Sequence, residues 1–168
     1  MTPPDRRRQA IGFLGWLAAC LVTGGIGAYA SANAASFYGR LAQPSWAPPA
    51  WLFGPVWTTL YVMMAVAAWL VWRRHGFDSA SGAKVALRLF VLQLVANALW
   101  TWLFFVWHQG ALALAEIVVL SLMIAATIAA FWRLNRLAAL LLLPYLAWVS
   151  FATALTYALW RANPALLG

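Results

Sequence analysis

Five apolar stretches, near residues 11–30, 55–72, 89–107, 111–132 and 137–160, decide what this chain can become. Each approaches the roughly 20 residues that a helix needs to cross the ~30 Å hydrocarbon core of a bilayer. The runs are continuous where a half-buried strand would alternate. Lipid offers no water to the backbone, so a spanning segment must satisfy its own hydrogen bonds, as a helix does. With 65% hydrophobic and 8% charged residues among 168, little is left for a soluble module. The expected fold is all-α: an integral, multi-pass membrane bundle of five transmembrane helices, one domain over residues 1–168, with 31–54 as the long connection.

A net charge of +8 raises the question of a nucleic-acid partner. Its distribution argues against one. Five crossings put Arg6, Arg7, Arg8, Arg73, Arg74, Lys84, Arg88, Arg133 and Arg136 at one end of the bundle and leave only Arg40 and Arg161 at the other. That asymmetry is the positive-inside pattern and predicts a cytoplasmic N-terminus. No basic module of any size accompanies it. Abundant arginine with a single lysine hints at a GC-rich bacterial gene. A bacterial inner membrane is the expected location, with an outer membrane as the alternative.

The long connection carries Pro44, Trp46-Ala47-Pro48-Pro49, Trp51, Gly54, Pro55 and Trp57. Consecutive prolines cannot continue a helix, and each pushes the residue before it toward extended backbone. The segment therefore reads as a stiff, non-helical cover bearing flat aromatics, a lid over a pocket for a flat apolar molecule. Six of the 12 tryptophans, Trp51, Trp69, Trp72, Trp107, Trp132 and Trp160, fall near segment ends, where an aromatic belt is expected. Trp57, Trp100, Trp102 and Trp148 need another account.

Polar residues inside the spans are few. Gln93, Asn97 and Trp100 lie at i, i+4 and i+7, on one helical face. Amides in hydrocarbon are costly unless partnered, so this face should point into the bundle, either as interhelical glue or as a pocket wall. Glu116 is the only carboxylate within a predicted span, about 9 Å from its outer end at 1.5 Å per residue. It is expected to be protonated or paired with Gln93, Asn97 or an arginine. Asp5 and Asp78 fall in the tail and a loop. Gly15, Ala19, Thr23 and Gly27 are four apart in the first span, a spacing that permits close helix approach within the bundle or in a dimer seam. Cys20 is the only cysteine, so no intrachain disulfide exists. Leu17-Ala18-Ala19-Cys20 resembles a lipoprotein cleavage box, but apolar sequence continues beyond it, which favours a residue within a helix.

Several segments together resemble the TspO/MBR family, the tryptophan-rich sensory proteins and translocator proteins. They are Phe37-Tyr38 through Leu41 and Pro44 to Pro49, Gly54-Pro-Val-Trp57 through Tyr61, Gln93-Leu-Val-Ala-Asn97-Ala-Leu-Trp100, and Pro144-Tyr145-Leu-Ala-Trp148 through Ala152 and Leu155. The resemblance implies five transmembrane helices, a homodimer, and a pocket beneath the first loop for porphyrins, haem-like tetrapyrroles and synthetic isoquinoline or benzodiazepine-type ligands. By position it implies paired pocket tryptophans at Trp57 and Trp148, wall positions at Tyr61, Asn97, Trp100 and Ala152, and a lid at Trp46, Pro48 and Pro49. With Gln93, Glu116 and Tyr145 these make the candidate ligand-binding set. Phe37, Gln43 and Thr156 depart from the residues common in the family. Leu155, Tyr157 and Arg161 fit a loose sterol-recognition pattern.

The expected function is a membrane receptor or sensor that binds porphyrins and regulates tetrapyrrole handling. A transporter is the alternative, as is a light-dependent porphyrin-degrading enzyme whose catalytic candidates would be Trp57 and Trp148. No catalytic triad, metal cluster or cofactor loop is evident, so no cofactor is required and no metal ligands are assigned. Neither His75 nor His108 is placed to ligate a buried iron, and Arg40 is the only loop cation near the ligand's carboxylates. Stacking and shape would hold the ring.

Overall fold

The computed structural model describes residues 6–168, in eight helices and no strand among the described residues. Asp5 lies outside the described residues. The helices are α1 (Arg6–Ala30), α2 (Ala34–Arg40), α3 (Phe53–His75), α4 (Ala83–Phe105), α5 (Gly110–Leu134), α6 (Arg136–Leu141), α7 (Leu143–Ala162) and α8 (Pro164–Leu167), with a single 3-10 turn at Ala50–Leu52 before α3. Five segments are long and apolar enough to cross a membrane: α1, the 3-10 turn with α3, α4, α5, and α6 with α7. α3 packs against α1 and the last span, α5 against the last span and α4, and α4 closes the ring against α1.

The helices run longer than the apolar stretches that announced them. α1 begins at Arg6 and α4 at Ala83, so Arg6, Arg7, Arg8, Lys84 and Arg88 are helical. Arginine and lysine are good helix formers, and their stems lie along apolar surface while the charge reaches water. Hydropathy marks where a helix enters lipid, which is not where it starts. The last span is broken at Leu142. Pro144 lacks an N–H and its ring would meet the Leu140 carbonyl, so the chain takes a tight turn, Leu142 N–H to Ala139 O at 3.1 Å, before α7 resumes.

The connection after α1 also departs from a wholly non-helical cover. The prolines do hold 44–49 out of helix, but the stretch before them forms α2. Phe37, Tyr38 and Leu41 share its inner side, are buried, and join Phe104, Leu155, Leu159 and Leu167 in a small second core. The Phe37 ring stacks on His108 at 4.3 Å and meets Phe104 and Phe105 edge-on. Ser31, Asn33, Ser36 and Gly39 mask this helix in the sequence, and tertiary packing overrides their weak propensity.

The cationic end is tightly filled. Met64, Ala65, Ala67, Ala68, Val71, Ala83, Phe90, Phe131, Ala138 and Ala139 are fully buried there. Small residues let helices approach closely where lipid provides no hydrophobic drive. Arg8, Arg73 and Arg136 each lie over a tryptophan ring, Trp72, Trp69 and Trp132 respectively. Gly12 faces Trp72 so closely that a Cβ there would overlap the ring.

Candidate functional site

The opposite half of the bundle contains a cavity of about 410 Å³ between α1, α3, α4 and α7, with α2 and the 3-10 turn at its outer end. Its wall from α3 is Phe53, Gly54, Trp57, Thr58 and Tyr61; from α4, Trp100, Thr101 and Phe105; from α7, Trp148 and Ala152. Tyr38 and Ala50 line it from the connection. α1 contributes one large side chain, Leu21, and beyond it only Gly24, Gly25, Gly27 and Ala28 face the space. At Gly24 a Cβ would come within 2.9 Å of the Tyr61 ring, whereas at Gly25 nothing lies within 4 Å. The run of small residues after Leu21 on this face of α1 leaves room.

Aromatic contacts run from the cover into this wall. Trp46 meets Phe151 edge-on at 5.8 Å, Phe151 meets Trp148 at 5.5 Å, and Trp148 meets Phe53 edge-on at 5.8 Å. Phe53 meets Tyr38 at 5.5 Å, and the Tyr38 hydroxyl donates to the Pro48 carbonyl at 3.0 Å, back in the cover. Burial pushes the Tyr38 phenol above its ordinary value, which keeps it a proton donor. Trp57 lies against Tyr61 at 5.6 Å and Tyr145 at 6.2 Å. The cover is tied to the bundle by Asn163 at the end of α7. Its Oδ1 accepts from Ala42 N–H at 2.8 Å, and its Nδ2 donates to Ala42 O at 3.0 Å and to Leu159 O at 2.8 Å.

Of the candidate residues, Trp57, Tyr61, Trp100, Trp148 and Ala152 line the cavity together. Trp46, Pro48 and Pro49 stand in the cover without lining the space. Gln93, Asn97 and Tyr145 are buried behind the wall. The Tyr61 hydroxyl donates to Asn97 Oδ1 at 2.6 Å and the Tyr145 hydroxyl donates to Gln93 Oε1 at 2.7 Å. One face of α4 therefore takes a phenol from α3 and another from α7. Glu116 is on α5, outside the lining, and the pairing expected for it with Gln93, Asn97 or an arginine is not made: both carboxylate oxygens are buried without a partner among the described residues. Gln93 Nε2, a donor of the kind a carboxylate accepts from, is likewise buried without a partner among the described residues. Arg40 sits over the Phe37 ring at 5.8 Å, and neither it nor His108 lines the cavity. In the sterol pattern Leu155 is buried while Tyr157 and Arg161 are exposed, so only the last two share an outer face.

Sequence reasoning missed Phe53, Phe105, Thr101 and the α1 glycines as wall residues. The small residues of α1 were visible as a spacing; of the two glycines in that spacing, Gly15 has nothing within 4 Å of an added Cβ, while a Cβ at Gly27 would lie 3.6 Å from Thr101 Oγ1.

The TspO/MBR family model matches residues 16–161. The chain belongs to that family. Among its relatives, the translocator protein of Homo sapiens is 43% identical over 127 residues, 76% of this chain and 75% of the relative. Protein CrtK of Rhodobacter capsulatus is 37% identical over 153 residues, covering 90% and 92%. The tryptophan-rich sensory protein of Cereibacter sphaeroides is 40% identical over 151 residues, 90% of each chain. The match takes in α3, α4, α5 and every cavity-lining residue. No group of three or more histidine, cysteine or acidic residues that might hold a metal occurs among the described residues.

Proposed function

We propose that this protein is a membrane receptor for planar, largely apolar ring systems, with porphyrins and related tetrapyrroles as the ligand class, and that occupancy of the cavity regulates tetrapyrrole handling. The supporting observation is the convergence of Trp57, Trp100 and Trp148 from three helices on one cavity of ligand size. Indole faces stack on flat guests, at about 0.5–1.5 kcal/mol per aromatic pair beyond burial. The Trp100 and Trp148 indole N–H groups are buried without acceptors, so a guest that carries carbonyl or carboxylate oxygens gains from a small rotation of either ring. The lining holds no histidine, cysteine or methionine, and the ring is held by its faces. Below the cavity the bundle is filled with small buried side chains, which favours holding a guest over passing it through.

Titration of metal-free protoporphyrin and of haem, followed by quenching of intrinsic fluorescence, tests this. Trp57→Phe and Trp148→Phe should each weaken both ligands by about three- to tenfold, as loss of one stacking partner implies. Non-saturable quenching, unchanged affinity in both variants, or a haem preference of about a hundredfold with an axial-ligand absorption signature would overturn it.

A further inference from the structure

A second concavity, of about 320 Å³, lies on the outer surface near the cationic end, between α1 and α4. It is bounded by Trp16 of α1, Phe77 of the α3–α4 connection, and Leu87, Arg88, Val91 and Leu92 of α4. The Trp16 ring sets its depth: it packs edge-on against the buried Phe90 at 5.8 Å and lies tilted against Phe77 at 6.4 Å. Phe77 is left 61% exposed, and Leu92 57%.

Arg88 is the anomaly in this groove. It lies five residues into α4, about 8 Å along the axis from Ala83 at 1.5 Å per residue, within the first two turns of the span. Lys84 is one turn nearer the helix start, on the same ridge. Unlike Arg8, Arg73 and Arg136, Arg88 lies over no aromatic ring, and it makes no hydrogen bond or ion pair with any described residue. Neither described acid pairs with it. Asp78 accepts from Ala80 N–H and Ser81 N–H, and Glu116 is buried on α5. A guanidinium at a membrane interface is matched by a phosphate, which accepts its paired N–H groups.

We infer that this groove is a site for one anionic phospholipid, with the phosphate held by Arg88 and an acyl chain lying along Trp16, Val91 and Leu92. Basic positions between spanning helices at the end rich in arginine select anionic headgroups, and an apolar channel beneath the one cation that lines it fits a lipid better than a free anion. The site is separate from the aromatic cavity and does not depend on what the cavity binds.

Native mass spectrometry of the intact protein, released from nanodiscs of equimolar phosphatidylglycerol and phosphatidylcholine, reads the retained lipid directly. Wild type should keep phosphatidylglycerol over phosphatidylcholine by about fivefold, the preference expected of one interfacial cation. Arg88→Gln should bring the ratio close to unity, and Arg88→Lys should keep part of it. Arg133→Gln, the same charge change at the same end of the bundle, should leave it unchanged. Leu92→Trp, which fills the groove and keeps the charge, should release the lipid. Equal losses in Arg88→Gln and Arg133→Gln would overturn the proposal, because net charge alone would then explain the preference. Displacement of the lipid by soluble glycerophosphoglycerol would also overturn it, in favour of a bare phosphate site. So would a Leu92→Trp variant that changes oligomeric state and leaves lipid retention intact, since the groove would then be filled by a second copy.

Discussion

The two halves of this bundle are built from the same helices with opposite results. At the cationic end α3 presents Ala65, Ala67, Ala68 and Val71, α4 presents Ala83 and Ala86, and α6 presents Ala138 and Ala139; all are buried. At the other end α3 presents Phe53, Trp57 and Tyr61, α4 presents Trp100 and Phe105, and the side chains enclose about 410 Å³. Alanines let backbones close on each other until nothing remains between them. Rigid rings contact at their edges and hold the helices apart, and the glycines of α1 do not fill the gap.

The strongest test of that contrast is to add the same bulk to each half. Ala68→Leu should lower stability by about 1–3 kcal/mol, the usual cost of overpacking a filled interior. Thermal unfolding in micelles would show it, with porphyrin affinity little changed. Ala152→Leu should do the reverse: its side chain enters the cavity, stability holds, and affinity falls by about tenfold, as expected when contacts worth one or two kcal/mol are displaced. Equal destabilisation by both would mean the cavity is not open space.

Tyr61→Phe probes the wall's support. It keeps the ring and leaves Asn97 Oδ1 without its donor, at a cost of about 1 kcal/mol for an interhelical bond in a membrane. A guest that only stacks should bind almost as well, so stability should fall while affinity holds. Asn163→Ala should act the other way. Loss of its bonds to Ala42 frees the cover at a cost of about 1 kcal/mol, speeding both entry and release of a guest, while the Ala42 amide loses protection in hydrogen exchange.

The smallest effect belongs to the cationic end. The Ser81 and Ala80 backbone N–H groups hold the Asp78 carboxyl below its ordinary 3.8. Because the folded value is the lowered one, the contribution is present above the ordinary value and disappears as pH falls through the depressed one. Faster exchange of the Ala80 and Ser81 amides in that acid range, and at all pH values in Asp78→Ala, is the expected signature.

Much of this was legible in the residues, for identifiable reasons. Hydropathy exposes spans because lipid penalises nearly everything else, and Trp57, Trp148 and Trp100 stood out because belts at the membrane surface could not explain them. The amides on α4 were read correctly as facing inward, but their partners were not, since nothing local to Gln93 says that a tyrosine 52 residues away will reach it. The glycines of α1 were hardest to see. A residue whose part is to leave a vacancy carries no chemistry to recognise, and the same Gly-rich spacing serves contact at Gly24 and openness at Gly25. α2 was hidden because its stability comes from Phe104, Leu159 and Leu167, elements remote in sequence.

The tether between Asn163 and Ala42 gives the chain's final residues a reach beyond their position. A fusion joined closely behind α8, or proteolytic trimming after Arg161, would alter how quickly a guest exchanges without touching any residue that faces it. Preparations differing only in such a tail would then report different residence times for one unchanged binding slot.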